Sequence, residues 1–137
     1  ADIFNAFVAG RAIIHNEGTV DELAPHMATI RTRFEQLCAA NVVHYVHKVL
    51  NAMGDLTDAS DAMSAESENY NKYWSEMRGF IISLQYNVGE VSGGLTSAQL
   101  DDIVAHVGIS PLYPSDESYS GYADELMHVK EILSTLF

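Results

Sequence analysis

Apolar residues recur at helical spacing through most of the chain. Between Tyr70 and Val88 the residues Trp74, Met77, Ile81, Leu84 and Val88 fall three or four apart, which predicts a helix with one face in the core. This segment, from about 62 to 88, carries the single tryptophan and is expected to be the rod around which the others pack. An earlier stripe of Met27, Ile30, Phe34, Leu37, Cys38, Val42, Tyr45, Val46 and Val49 predicts the longest helix, over 19–50. A first helix is expected over 1–16, with Ile3, Ala6, Phe7, Gly10, Ile13 and Ile14 as its apolar positions. A short one over 96–107 presents Leu100, Ile103, Val104 and Val107, and a last one over 122–136 presents Leu126, Val129, Ile132, Leu133 and Leu136.

Boundary residues agree with these elements. Thr19 with Glu22, and Thr96 with Gln99, have the spacing of capping boxes, in which each side chain satisfies a free backbone donor of the other residue. Gly18, Gly54, Gly89 and Gly108 stand where helices are expected to stop, and Gly18 suits a left-handed terminal residue. Gly10, inside the first helix, is expected to admit a close neighbour. Pro25 is expected to kink the second helix or to move its start toward Ala24, because proline lacks an amide donor and crowds the preceding turn. No segment alternates with a period of two, and no Asn-Gly turn occurs, so no hairpin is predicted. The expected fold is a single all-α domain over 1–137, an up-and-down bundle of four principal helices and one short one.

Charge and cysteine content narrow the function classes. The 137 residues include 19 acidic and 7 basic ones, for a formal net charge of −12. That surface repels nucleic-acid phosphates and anionic lipid. The one cysteine, Cys38, excludes an internal disulfide and sits in an apolar stretch as a small core residue. No apolar run approaches the about 18 residues needed to span a membrane, and no secretory leader is visible at the start of the chain. The first residue is not methionine, which is expected for a processed form or one part of a longer protein.

Few residues suggest chemistry. His44 and His47 share a helix face, and with Glu76 from a facing helix they form the candidate metal site. Against it stands the ordinary role of histidines as exposed or hydrogen-bonded residues. Arg11, Glu76 and Arg78 are candidates for a structural polar pair that fixes helix register. Asp55, Asp58 and Asp61 mimic a calcium loop only superficially, without its central glycine. The sequence offers no catalytic residues: Ser75 has no nucleophile-elbow context, Cys38 lacks electropositive neighbours, HExxH is absent, and GEVSGG has no phosphate-loop lysine. No cofactor is implied. Tyr113, Tyr119 and Tyr122 cluster around the prolyl connection before the last helix and form a candidate partner surface.

FNAFVAGRAII, AANVVHYVHKVL, YWSEMRGFIISLQYN and the turn Gly108-Ile109-Ser110-Pro111 occur in this order. Together they resemble the C-terminal half of the bacterial family known as domain of unknown function 4856, which is itself similar to the imelysin-like helical proteins of the cell envelope. The resemblance implies a helical bundle that is exported, as a secreted protein or lipoprotein, and no established activity. Imelysin relatives carry a Gly-x-His-x-x-Glu motif tied to iron binding or a metallopeptidase role. Here Gly10, His15 and Glu17 have different spacings, so that role is not carried over. The expected function is non-catalytic binding or self-assembly at the cell envelope or outside the cell, the partner being a second copy or a missing N-terminal half. The alternative is metal (iron) binding or metallopeptidase activity.

Overall fold

In the computed structural model, which describes residues 2–136, the chain is all-helical. The elements are α1 (Asp2–His15), α2 (Val20–Met53), α3 (Ser67–Leu84), α4 (Ser97–Val107) and α5 (Tyr119–Ser134). Both capping boxes form: the Thr19 hydroxyl accepts from the Glu22 amide, and Thr96 accepts from Gln99.

Two expectations about helix ends are corrected. The left-handed residue after α1 is Glu17, at φ 57°, and not Gly18. The Gly18 amide donates to Ile13 O and the Glu17 amide to Ile14 O, which closes the helix in a Schellman arrangement. Gly18 is needed for space, since a Cβ there would lie 2.6 Å from Ile13 Cγ2 and 2.8 Å from Glu22 Oε2. Pro25 neither breaks α2 nor moves its start. Helical residues on both sides, together with packing on α1, outweigh its missing donor. Gly10 has no tight neighbour, with Leu23 Cδ2 3.6 Å from the position of a Cβ.

The spine is α2, not α3. At 34 residues it is about 50 Å long, and its two halves do different work. The second half buries Ala39, Val42, Val46, Val49 and Ala52 against Tyr70, Trp74, Met77, Ile81 and Leu84 of α3. Ile103 and Val107 of α4 and Leu126, Val129 and Leu133 of α5 complete this core. The first half of α2 carries α1, and α1 packs on no other helix. The core is therefore a four-helix body of the α2 second half, α3, α4 and α5, and the α1–α2 hairpin extends from it as an arm. Length decides this: α3 has 18 residues, too few to reach both the body and the arm.

Buried polar groups tie the body together. Tyr122 Oη, 2% exposed, accepts from Trp74 Nε1 at 2.7 Å and donates to Val107 O at 2.8 Å. Tyr70 Oη donates to Leu112 O at 2.7 Å. The buried Glu35 accepts from the Leu95 amide at 2.7 Å through Oε1, and among the described residues its Oε2 has no hydrogen-bond partner. A Cβ on Gly94 would lie 2.4 Å from Glu35 Oε1 and 2.9 Å from Val91 Cβ, so a side chain there would displace the carboxylate or the loop.

Candidate functional site

The arm carries most of the apolar surface left open. Of thirteen exposed large apolar side chains among the described residues, eight lie between Phe4 and Leu37. Helical spacing explains their grouping. On α1, Ile3, Ala6, Gly10 and Ile13 are the more covered positions, and Phe4, Phe7 and Ile14 are left exposed. On α2, Met27, Phe34 and Leu37 continue a stripe whose core portion begins only at Ala39. Between the two helices lies a cavity of about 340 Å³, lined by Phe7, Gly10, Ile14, Leu23, Met27 and Ile30 among others. Its walls are almost wholly apolar. Of the eight, Phe7, Ile14 and Met27 meet around this cavity; scattered apolar residues on a surface are ordinary, whereas a contiguous patch marks an interaction face.

Charge sets the arm apart as well. Residues 1–40 hold five acidic and three basic residues, and residues 41–137 hold fourteen acidic and four basic ones. The arm is nearly neutral, and the body carries most of the negative charge. Asp2 and Arg33 pair across the hairpin at 2.8 Å. A surface pair of this kind adds little stability, but it holds the end of α1 in register on α2.

The residues predicted from sequence do not assemble into a site. His44 and His47 are exposed on α2. Among the described residues, the one grouping of three metal-ligating side chains is Asp102, His106 and His128, so His44, His47 and Glu76 are not brought together as a ligand set. Glu76 is half-buried beside Tyr45, and that carboxylate is the chief cause of the raised pKa of the Tyr45 phenol. Arg11 is exposed on α1, which does not pack on α3. Among the described residues neither Arg11, Glu76 nor Arg78 forms an ion pair. The expected register pair is therefore absent there; Arg11 is out of reach of Glu76 because α1 packs only on α2.

The tyrosine surface is also corrected. Tyr122 is a core residue, and Tyr113 and Tyr119 are half-buried. Their hydroxyls are spent inside the fold, Tyr113 donating to Asn71 Oδ1 at 2.5 Å and Tyr119 to Met53 O at 3.3 Å. Burial pushes the Tyr122 phenol up to about 12. Burial first, then the charge of Glu35, raises the Cys38 thiol above its ordinary range, so it is a poor nucleophile. His15 and Glu17 lie exposed at the hairpin turn. Asp55, Asp58 and Asp61 are likewise exposed, and Asp61 caps the Met63 amide at 2.8 Å.

The order of helices, α1 on α2 followed by α3 and α4, accounts for the segments of sequence resemblance. The profile of the family described as Domain of unknown function (DUF4856) matches residues 1–108. The chain belongs to this family. The match runs from the arm through the end of α4 and stops before α5. No curated protein and no solved structure shows significant similarity to the chain. No described helix is long and apolar enough to cross a membrane.

Two features were not singled out from the sequence. One is the buried Glu35, which looks like any helical glutamate until Leu95 is brought against it. The other is Glu125-Leu126-Met127-His128, a Glu-x-x-His pair on α5 that was visible in the sequence. Its partners on α4 become apparent only in three dimensions.

Proposed function

We propose that this DUF4856 domain is a non-catalytic helical bundle that works by association, the outer face of its α1–α2 arm pairing with the same face of a second copy. The observation that carries the reading is the confinement of eight exposed large apolar side chains to one nearly neutral arm of a strongly acidic molecule. Elsewhere like charge opposes the approach of a second copy. At the arm, two hairpins related by a two-fold axis present the same patch to each other and complete a four-helix core between them. The face is about 20 Å long and about 20 Å wide, from the length of α1 and the width of two helices. It buries on the order of 400–600 Å² per partner, which favours a weak dimer with a micromolar dissociation constant. The resemblance to exported helical proteins supports a setting at the cell envelope or outside the cell.

Sedimentation equilibrium between about 5 and 500 µM tests this. The expected result is a concentration-dependent dimer that Phe7→Glu and Phe34→Glu each convert to monomer with an unchanged helical circular-dichroism spectrum. A monomer across the whole range, or a dimer indifferent to both substitutions, overturns the proposal.

A further inference from the structure

Two helices of the body bring four metal-ligating side chains together at their solvent edge. Asp102 and His106 are one turn apart on α4, and Glu125 and His128 are three apart on α5. His106 Nε2 lies 3.3 Å from Asp102 Oδ1, and His128 Nε2 lies 3.3 Å from Asp102 Oδ2. The two imidazole rings meet edge to face with centroids 4.5 Å apart. One ligand atom from each of Asp102, His106 and His128 falls within 4.8 Å of the others. On the far side of the His106 ring, Nδ1 contacts Glu125 Oε2.

We propose that this cluster is a binding site for a divalent transition-metal ion of the zinc class, with Asp102, His106 and His128 as ligands and Glu125 as the residue that orients His106. Three physical arguments support it. A zinc ion with bonds of about 2.0–2.1 Å holds tetrahedral ligand atoms about 3.3 Å apart; each histidine Nε2 lies 3.3 Å from one oxygen of Asp102, His106 from Oδ1 and His128 from Oδ2, and small side-chain rotations would bring all three onto one ion. Secondly, a carboxylate accepting from Nδ1–H fixes the imidazole tautomer and leaves a lone pair on Nε2. In that tautomer the Nε2 lone pair of His106 faces Asp102 Oδ1 at 3.3 Å, and a cation between them would satisfy both. Thirdly, among the described residues no lysine or arginine pairs with Asp102 or Glu125, so two carboxylates and two imidazoles share one seam without a fixed countercharge. Mixed imidazole and carboxylate donors suit zinc and its neighbours rather than calcium or magnesium.

The site is open. Asp102 and His128 are exposed and His106 is half-buried, which leaves the remaining coordination position to water. The ion bridges α4, inside the DUF4856 match, to α5, which lies beyond it. Metal binding then clamps α5 onto the body.

The experiment uses the chelator-treated chain titrated with Co²⁺ in the visible range and with Zn²⁺ by calorimetry. One ion per chain is expected, with d–d bands of a low-coordinate site. Zinc at a hundredfold excess over its dissociation constant should raise Tm by about 5–10 °C. His128→Ala and His106→Ala should weaken binding at least about tenfold, and Glu125→Gln by about 10–100-fold through lost orientation of His106. His44→Ala with His47→Ala should leave it unchanged. Should the alanine variants fold poorly, ¹⁵N shifts of the His106 and His128 Nε2 atoms on zinc addition report ligation in the unaltered chain. Absence of saturable uptake at micromolar concentration, unmoved Nε2 shifts, or full binding by a folded His106→Ala/His128→Ala variant overturns the assignment.

Discussion

Tyr122→Phe removes one oxygen from the middle of the body without changing the ring that packs there. In the native chain that oxygen accepts the Trp74 indole N–H and caps Val107 O, one of the terminal carbonyls of α4 that has no partner within its own helix. Its loss leaves a buried donor and a buried acceptor unpaired. Each such group costs about 1–3 kcal/mol, and partial relaxation brings the sum to about 2–3 kcal/mol. For a chain of this size that lowers Tm by about 6–10 °C. Urea unfolding followed by the fluorescence of Trp74, the single tryptophan, reads the change directly. A second signature comes from pH. Burial raises the Tyr122 phenol from 10.0 to about 12, so the folded state holds this proton more tightly than the unfolded chain does. The resulting stabilisation is fully present below pH 10 and is lost as pH rises through 12, about 2–3 kcal/mol for a shift of two units. Tyr70, also raised by burial, adds an alkaline loss of its own. The substituted protein should therefore be less stable at neutral pH and lose less stability between pH 10 and 12. A Tyr122→Phe protein within about 0.5 kcal/mol of the parent at neutral pH, with an identical alkaline limb, would refute the reasoning.

Two other substitutions test local features. Gly94→Ala sets a Cβ 2.4 Å from Glu35 Oε1 and 2.9 Å from the Val91 side chain; overpacking of this kind should cost about 1–3 kcal/mol in urea unfolding, and a neutral result would mean that the loop is free to move off α2. Pro25→Ala restores an amide donor at an exposed interior position of α2, and should stabilise the arm by about 1–3 kcal/mol, seen as a higher Tm by circular dichroism.

The helices and their caps were legible in the sequence because they depend on neighbours three or four residues apart. Thr19 with Glu22 and Thr96 with Gln99 are local chemistry, and the stripes from Ala39 to Ala52 and from Trp74 to Leu84 are local periodicity. The turn after α1 already shows the limit. The left-handed residue is Glu17, where the closing bonds from the Gly18 and Glu17 amides require it, and Gly18 is glycine because Ile13 and Glu22 take the space of a Cβ. The rod expected over 62–88 begins only at Ser67, since the preceding residues close on themselves through turns such as Ser60 amide to Thr57 O.

What sequence alone determined here is an all-helical chain, its order of helices and the apolar face of each. Tertiary structure decided which faces are covered. Phe7, Ile14 and Met27 follow the same periodicity as Val42 and Val46, yet only the latter pair lies under α3 and α5, because the body ends where α3 ends. It also decided which polar groups meet. Tyr122 turned inward to Trp74, while Asp102 and His106 found Glu125 and His128 across a seam between helices joined by a loop. Spacing along one helix specifies a face; the partner of that face depends on helix lengths and on the path of the loops, which periodicity does not encode.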